Sequence, residues 1–462
     1  MAIIASYVLP HPPVVIPEIG REDRYKIDKT YEAYDKIGKE IASLAPDTII
    51  VSSPHAESYA DYFQISDGEL GTGNFAKFGA PQVGFRVLYD QEFVKKISDI
   101  ARAKNFPAGS EGGQEKELDH GTMIPLYFIN HYYKGYKLVR VGLSGLPLLD
   151  HYRFGQIIQE ASKRLPSRVV FIASGDMSHC QKADGPYGFK PEGPKYDSMV
   201  MNALGKANFG ELLSFDETLV ERAEECGHRS FVIMAGALDR VAVEAKAISH
   251  EATFGVGYGI CSFKPLGEDP SRAFGDFYVL KAKMSVANKR ETGDPYIKLA
   301  YASLDNFLNA RKGQDRLNPF VPLEMKSSRA GVFVSIHENG TLRGCIGTIE
   351  PETRSVAEEI IQNAIRAASE DPRFKPIKKE ELPFLDVSVD VLSEPEDITS
   401  SKQLDPKKYG VIVINGNRRG VLLPDLPGVD TAEEQIDIAR RKAHIGKEEM
   451  YSLERFTVIR HS

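Results

Sequence analysis

The first 265 residues alternate short apolar runs with amphipathic stretches. The runs IIASYVL, DTIIVSS, GFRVLY, KLVRVGL and RVVFIAS are rich in β-branched residues and have the length of strands, whereas YEAYDKIGKEIASL and FGQIIQEASKRL carry apolar residues at helical spacing. This alternation predicts an α/β fold with a mostly parallel or mixed sheet and helices on both faces. The glycine-punctuated run TFGVGYGICSF is predicted to be the closing strand.

The pattern changes after this run. Residues 264–292 mix proline, glycine and charged residues with one short apolar run, which predicts a domain boundary or connector. Beyond it, helices over DPYIKLAYASLDNFLNAR and SVAEEIIQNAIRAASED, the strand FLDVSVDVLS and two hairpins with Asn-Gly turns indicate an α+β domain. A chain of 462 residues also exceeds what one core usually organises. We therefore predict two domains, at 1–265 and 285–462.

Charge and composition exclude several classes of partner. The chain has 58 Lys+Arg against 65 Asp+Glu with the signs interspersed, so its formal net charge of −7 argues against nucleic acid and anionic membranes. We find neither a signal-peptide pattern nor an apolar stretch of membrane-spanning length. The four cysteines are scattered without paired spacing, which favours a reducing compartment. We expect a soluble cytoplasmic protein, and the composition is compatible with a homo-oligomer.

Histidines at the ends of predicted strands are the main candidates for chemistry. His11, His55 and His179 each follow such a strand, and the carboxyl ends of strands border the ligand crevice in open α/β sheets. His120 enters a predicted lip over the same edge, and His228 begins a helix. A single strand-end histidine is more often a surface or hydrogen-bonded structural residue. Three of them at one edge favour a shared site.

Such a cluster suits a metal centre. Neutral imidazole is a good ligand for Fe(II), Mn, Cu or Zn, and two histidines with one carboxylate leave coordination positions open for substrate and O₂. Further histidines could move protons, because the ordinary imidazole pKa lies near neutrality.

The segments LPHPPVVIPEIG, SSPHA, LDHGTMIPL, SGDMSH and ECGHRSFVIMAGAL resemble the LigB-like family of class III extradiol dioxygenases and the related Memo-like proteins. The resemblance implies that His11 and His55 bind a non-haem metal, most simply Fe(II), and that His120 and His179 are the acid-base pair beside a bound catechol. Pro12, Asp176 and Ser178 belong to the same motifs and are the candidate substrate-binding residues.

The third metal ligand is left open. Ring-cleaving enzymes have a Glu, or sometimes a His, at the start of the last helix motif, but counting back from MAGAL reaches Gly227 here. Memo-like proteins have a Cys-Gly-Arg-His segment there, which is similar to residues 226–229. The candidates are therefore Glu225, Cys226 and His228. A thiolate ligand would favour a softer metal such as Cu(I) or Zn.

The second half resembles the AMMECR domain over about residues 285–462, through SIHENGTLRGCIGTIEP, AIRAASEDPRFKPI and LDVSVDVLSEPEDI. The fusion of the two families is typical of the AmmeMemoRadiSam system, which implies a radical SAM protein as a partner. Four residues are candidates for a small anion-binding cleft: Arg343, Cys345, Arg366 and Arg373. The alternative is structural, with the cysteine packed in the core and the last arginine capping the preceding helix.

Three classes of function remain open. They are a dioxygenase cleaving an aromatic diol, a related metalloenzyme or redox protein of the AmmeMemoRadiSam system, and a binding protein with a vestigial pocket. The pair His120 and His179 favours an enzyme, because a binding module needs no titrating groups over a metal. The irregular third ligand favours the second class over the first. The sequence does not identify the substrate or the metal.

Overall fold

The computed structural model of the chain describes residues 3–113, 117–309, 321–338, 340–426 and 428–462. It divides into two compact units, Met1–Tyr278 and Val279–Ser462. The turn residue Asn339, and the last two residues of the helix predicted to end at Arg311, lie outside the described residues.

The first unit combines strands and helices along the whole of its length. Its strands are β1 (Ile3–Leu9), β2 (Thr48–Ser53), β3 (Phe63–Gln64), β4 (Leu70–Phe75), β5 (Ala80–Leu88), β6 (Ala108–Gly109), β7 (Lys137–Gly142), β8 (Val169–Ser174), β9 (Val241–Glu251) and β10 (Tyr258–Glu268). Its helices are α1 (Pro17–Gly20), α2 (Asp28–Leu44), α3 (Gln91–Ala103), α4 (His120–Asn130), α5 (Leu148–Lys163), α6 (Glu192–Gly205), α7 (Phe209–Leu212), α8 (Glu217–Ala223) and α9 (His228–Ala237). The boundary between the units falls within α10 (Phe274–Thr292).

A six-stranded mixed sheet in the order β7-β2-β8-β1-β10-β9 forms the centre of this unit. The first four strands are parallel, and β10 and β9 add to them in antiparallel fashion. Every residue of β2 and β8 is buried, as expected for strands covered on both faces. One face packs against α3, α5, α6 and α9, and the other packs against α2 and α4. The predicted α/β architecture is therefore confirmed.

The structure differs from the sequence-based prediction at β5 and at β9. GFRVLY forms part of β5, which pairs with β4 in a separate hairpin, because its polar positions Gly84 and Arg86 are exposed where a central strand would be buried. β9 was not anticipated, since its alternating polar residues suit an exposed edge. The segment predicted to be a boundary or a structured connector, residues 264–292, consists of the end of β10, a short 3₁₀ helix and α10, and the division between the two units lies within it.

The second unit is an α+β structure, as predicted. In chain order it contains α11 (Pro295–Leu308), α12 (Leu323–Ser327), β11 (Val332–Glu338), β12 (Thr341–Gly347), α13 (Val356–Ser369), β13 (Leu385–Leu392), β14 (Glu396–Ile398), β15 (Gly410–Asn415), β16 (Arg418–Leu422), α14 (Ala432–Lys442), β17 (Ser452–Phe456) and β18 (Val458–His461). Its two antiparallel sheets have the orders β12-β11-β13-β18 and β14-β17-β15-β16. Within the described ranges of both units, no helix has the length and apolarity required to span a bilayer.

The helices α5 and α9 approach so closely that their backbones touch at two glycines. A Cβ atom on Gly155 would lie 2.0 Å from the carbonyl oxygen of Ile233, and one on Gly236 would lie 1.9 Å from that of Tyr152. This contact fixes the position of α9, whose first residue follows Cys226 by two positions. The position of residues 225–228, which include the three candidates for the third ligand, therefore depends on the close packing at Gly155 and Gly236.

We expect Gly155→Ala to destabilise the first unit by about 1–3 kcal/mol, because the added methyl group must push two helices apart. The measurement is the midpoint of its thermal unfolding transition by calorimetry. Gly267→Ala is the matched control, since a Cβ there meets no atom within 4 Å. Equal midpoints for the two variants would contradict this account of the helix contact.

Candidate metal centre

Three histidine rings lie in mutual contact at one edge of the central sheet. The Nε2 atoms of His11 and His55 are 3.1 Å apart. The ring of His120 lies 4.1 Å from that of His55 and 5.2 Å from that of His11, measured between centroids. The parallel strands β1, β2 and β8 end at this edge, where Leu9 pairs with Ser174 in the register. The topology thus brings together residues from three distant parts of the chain.

A cysteine and a second group of side chains complete the cluster. Cys226 Sγ lies 3.5 Å from His11 Nε2, and one atom each of His11, His55 and Cys226 lie within 4.8 Å of one another. The same spacing joins Cys226 to Asp176 and His179. His11, His55 and His179 therefore lie around one thiol, and His120 contacts the rings of His11 and His55. His11 is buried, at 2% exposure, whereas His55 is in an exposed turn.

A hydrogen-bond chain determines which nitrogen of His11 carries the proton. Ser174 Oγ donates its single proton to the carbonyl oxygen of Gly121 at 2.6 Å. It lies 3.0 Å from His11 Nδ1, so it must accept a proton from that nitrogen. His11 Nε2 is then unprotonated, and its lone pair points towards His55 and Cys226. Buried backbone and hydroxyl partners of this kind are typical of metal-binding histidines.

Asp119 joins the ends of two elements that carry histidines. Its carboxylate caps α4 by accepting from the Thr122 N–H at 2.9 Å, and it also accepts from Ser53 Oγ at 2.6 Å. Ser53 Oγ in turn accepts from the backbone N–H of His55 at 3.2 Å. The turn after β2 and the first residue of α4, His120, are therefore held together by one carboxylate.

Two glycines allow the loop after β8 to contact the segment before α9. A Cβ on Gly175 would lie 2.2 Å from Gly227 Cα, and a Cβ on Gly227 would lie 2.4 Å from the ring of Phe231. The close approach permits reciprocal contacts, with the Asp176 N–H donating to Cys226 Sγ at 3.3 Å and the Gly227 N–H donating to the Asp176 carbonyl oxygen. Gly175 and Gly227 thus place the thiol beside His11.

The two other candidates for the third ligand point elsewhere. His228 is fully buried, its Nε2–H donates to the Leu212 carbonyl oxygen at 2.8 Å, and its Nδ1 accepts from Tyr196 at 3.0 Å. Both ring nitrogens are therefore occupied by protein groups. The Glu225 carboxylate accepts from the backbone N–H of His228, and its burial raises its pKa to about 7. Cys226 alone of the three reaches His11.

The predicted substrate-binding residues have different surroundings. Asp176 accepts from the His11 backbone N–H at 2.7 Å and borders the cluster. Ser178 is fully buried, and its hydroxyl donates to the Ala223 carbonyl oxygen and accepts from the Cys180 N–H. Pro12 is buried and precedes a short 3₁₀ helix. Asp176 lies at the pocket, and Ser178 braces the loop that carries His179.

The imidazoles of the cluster are neutral. Burial, with a further contribution from neighbouring imidazoles, lowers the pKa of His11 and of His120 to about 3. Burial also lowers the pKa of His55 and His179 below the ordinary value. Neutral rings are the form that binds a metal and the form that accepts a proton from a substrate.

The pKa values of the acidic groups in the pocket shift in opposite directions. Burial raises the pKa of Asp176 to about 6. Burial also opposes the charged form of Asp119, but the hydrogen bond from Ser53 and the nearby Arg140 guanidinium outweigh it and hold the pKa below its usual range. Burial raises the pKa of the Cys226 thiol, and the charges of neighbouring carboxylates add to this shift. A bound cation would reverse this effect and favour the thiolate.

The donor set fits a transition-metal ion. Bonds of about 2.0–2.1 Å to nitrogen and about 2.3 Å to sulfur separate adjacent ligand atoms by roughly 3.0–3.6 Å. The distances of 3.1 Å between His11 and His55 and 3.5 Å between His11 and Cys226 lie in this interval. Two imidazoles with one thiol suit Zn, Cu or Fe better than Mg or Ca.

Two aromatic side chains flank the cluster and were not predicted from the sequence. The ring of Phe78 lies 5.3 Å from that of His120, and the ring of Tyr187, which is 54% exposed, lies 5.1 Å from that of His179. Phe78 ends a short 3₁₀ helix, and Tyr187 lies in the loop that follows His179 by eight residues; neither belongs to a histidine motif. Ser174 and Asp119 were assigned no role from the sequence, although they lie within the motifs SGDMSH and LDHGTMIPL.

The candidate cleft residues of the second unit separate into two pairs. Cys345 and Arg373 line the same cavity. Arg343 instead donates to Glu381 and to the carbonyl oxygen of Lys375, and Arg366 pairs with Glu352 and Glu370. The last two arginines therefore serve surface ion pairs.

Comparison with known proteins places both units in families. Residues 5–261 match the catalytic LigB subunit of aromatic ring-opening dioxygenase, and residues 297–461 match AMMECR1. The first match extends over more than half of the chain. The chain therefore belongs to the LigB family of aromatic ring-opening dioxygenase subunits, fused here to an AMMECR1 domain. The two resemblances found in the sequence are confirmed.

One relative matches the whole chain, and others match a part of it. Protein CA_C1420 of Clostridium acetobutylicum is 42% identical over 468 residues, which cover 100% of this chain and 99% of that protein. A Thermotoga maritima protein is 48% identical over 169 residues, which are 36% of this chain and 97% of its own. The crystal structure of protein PH0010 from Pyrococcus horikoshii is 31% identical, with a TM-score of 0.34, over 37% of this chain and 90% of its own. The crystal structure of protein JW3007 from Escherichia coli K12 is 14% identical, with a TM-score of 0.37, over 56% of this chain and 99% of its own.

We expect Ser174→Ala to weaken metal binding by about 10- to 100-fold, because His11 loses the acceptor that keeps its proton on Nδ1. The measurement is the dissociation constant for Zn²⁺ by competition with a chelator. Ser6→Ala is the matched control, since Ser6 is buried in β1 and its hydroxyl has no hydrogen-bond partner. An unchanged affinity in Ser174→Ala would show that this hydrogen bond does not orient the ligand.

Proposed function

We propose that the first unit is a metal-dependent oxidoreductase whose metal is held by His11, His55 and Cys226. The observation that carries the proposal is the convergence of two imidazole nitrogens and one thiol at ligand spacing. The unprotonated Nε2 of His11 supports the assignment, because its lone pair is available to a metal ion and the nitrogen lies 3.5 Å from the Cys226 sulfur. Family membership supports redox chemistry at this edge of the sheet.

We further propose that the substrate is a small aromatic diol and that O₂ opens its ring. Both atoms of O₂ would enter the product, so no further reductant is required. The metal, when bound, would supply a Lewis-acidic centre that brings the diol and O₂ together and passes electron density between them. The aromatic rings of Phe78 and Tyr187 suit a flat substrate, because they flank His120 and His179.

His120 and His179 would move the protons of this reaction. Both rings are neutral and lie beside the proposed ligands, so each can accept a proton from a substrate hydroxyl. Asp176 faces His179 and would stabilise the imidazolium that forms. Asp119 would position His120 by capping α4, without contacting the substrate.

A second candidate function is favoured by the thiol itself. Class III ring-cleaving enzymes have a Glu, or sometimes a His, as the third ligand, whereas the thiolate of Cys226 is soft and favours Cu(I) or Zn. In that case the unit would be a Memo-like metal-binding redox protein or another metalloenzyme without ring-cleavage activity. The histidine pair would then serve a different proton transfer.

The ligand assignment is tested by metal content. We expect Cys226→Ser to retain less than about a tenth of the metal of the parent protein after dialysis, because thiolate provides much of the affinity for a soft metal. Glu225→Gln is the matched control, since Glu225 is adjacent in the chain but bonds to the start of α9. The quantity measured is moles of metal per chain by plasma mass spectrometry. Full occupancy in Cys226→Ser, or loss in Glu225→Gln, would move the third ligand away from the thiol.

The reaction is tested by O₂ consumption with a panel of catechols, using protein purified without air and loaded with Fe(II). We expect catechol-dependent uptake and two labelled oxygens in the product from ¹⁸O₂. His179→Gln should keep the metal and lose about 10²- to 10⁴-fold in turnover, the usual contribution of a positioned acid or base. His131→Gln is the control, because His131 caps the far end of α4.

The outcomes separate the two candidates. Iron with catechol-dependent uptake supports ring cleavage. Retention of copper or zinc without uptake excludes ring cleavage and supports the second candidate. Full turnover in His179→Gln would contradict the proton-transfer role.

A further inference from the structure

The second unit has a half-open cavity of about 550 Å³. It lies between the sheet β12-β11-β13-β18 on one side and β16 with α14 on the other, and its lining includes Ser335, Cys345, Arg373, Leu423 and Lys442. Sites for small organic molecules usually have volumes of roughly 300–1,000 Å³. The cavity therefore has the size of a ligand site, and it is separate from the metal centre.

One wall of the cavity is a face of the sheet β12-β11-β13-β18, and this face carries polar side chains. On β11, Phe333, Ser335 and His337 line the cavity, while the alternate residues Val334 and Ile336 are fully buried in the core. On β13, Asp386, Ser388 and Asp390 line it in the same manner. Hydroxyl, imidazole and carboxylate groups thus face the cavity, while the apolar side chains of the same strands face the core.

Part of the charge in this wall is already neutralised. Arg460 donates to both carboxylate oxygens of Asp390, at 2.8 and 3.2 Å. Lys289 pairs with Asp386. These two cations are therefore occupied by protein carboxylates, and they are not the groups that would attract a ligand.

Among the described residues, Lys442 is the lining cation that is left without a carboxylate partner, and Arg373, which is paired with Asp371, lies close to it. Lys442 Nζ contacts the Val421 carbonyl oxygen at 3.4 Å, and across the described ranges no carboxylate lies at ion-pair distance from it. Partial burial lowers its pKa, and the charge of Arg373 also lowers it, while the residue stays exposed to solvent. Arg373 pairs with Asp371, and its side chain is 55% exposed. Asp425 also lines the cavity and pairs with Lys407. The ammonium of Lys442 is therefore the cation at this end of the cavity that a ligand would meet.

Cys345 lies in the same cavity beside these cations. Its thiol accepts from Ser335 Oγ at 3.2 Å, its N–H donates to Asp371 at 2.9 Å, and its carbonyl oxygen accepts from Arg373 at 3.3 Å. The strand that carries the thiol is thus tied to the cationic end. A molecule bound there would cover the sulfur atom.

We propose that this cavity binds a small organic anion, with its carboxylate or phosphate group on Lys442 and Arg373 and its uncharged body over Cys345 and Phe333. The charge-assisted contacts supply the recognition of the anion, and the apolar lining accepts the rest of the ligand. The site lies wholly within the second unit and does not depend on the function proposed for the first.

The test uses the full chain and measures the rate at which iodoacetamide alkylates Cys345, followed by peptide mass spectrometry. The probes are phenyl phosphate, benzoate and uncharged phenol. We expect one or both anions to slow alkylation and phenol to have no effect at the same concentration. Benzoate and phenyl phosphate then distinguish a carboxylate site from a phosphate site. Lys442→Gln should weaken protection by about tenfold or more, since a charge-assisted contact is lost.

Arg366→Gln is the matched control, because Arg366 lies on the surface outside the cavity and should leave protection unchanged. Calorimetric titration of Cys345→Ser with the protecting anion gives a second measurement, and we expect binding to persist without the thiol. Protection by phenol equal to that by the anions, or protection unchanged in Lys442→Gln, would overturn the proposal. So would the absence of both protection and binding heat with either anion.

Discussion

The contact between Gly175 and Gly227 is the constraint on which the candidate metal centre depends. One glycine follows β8 and the other precedes α9; a Cβ on Gly175 would meet the Gly227 backbone, and a Cβ on Gly227 would meet the Phe231 ring and the Asp176 carbonyl oxygen. Their contact lets Asp176 and Cys226 exchange hydrogen bonds, which places the thiol within 3.5 Å of His11. The strand ends of the sheet therefore position His11 and His55, and this backbone contact positions the Cys226 sulfur beside them.

The hydrogen bonds around the centre act on orientation more than on charge. Ser174 holds His11 in one tautomer, and Asp119 holds the turn of His55 against the start of α4. Both partners are buried, so their bonds are not exchanged with water. Such pre-organisation lowers the cost of arranging ligands when a cation binds.

Much of this architecture could be predicted from the sequence. The α/β class and the candidate histidines followed from strand-like runs that each end in a histidine motif, because parallel strands present their carboxyl ends at one edge. The choice among Glu225, Cys226 and His228 could not be made, since neighbouring residues in a turn point in different directions. His228 is an example: it lies in the motif that suggested a metal ligand, but both of its ring nitrogens form hydrogen bonds, one with Leu212 and one with Tyr196.

The misplaced strand and the missed residues have related causes. β5 has the composition of a sheet strand, but its partner is determined by which face is buried, and that depends on distant contacts. Ser174 and Phe78 act through three-dimensional neighbours, so no spacing in the chain marks them. In the second unit, LRGCIGT predicted a cleft, but only the fold separates Arg373 from Arg366.

The unequal burial of the two histidines has a consequence for how the centre is filled. His11 is anchored in the interior, whereas His55 stands in an exposed turn. An incoming ion would meet the outer ring first and reach the inner ring and the sulfur only after shedding its water shell. Loading would therefore proceed in an ordered way on the finished fold, and release would begin with the outer ring swinging aside.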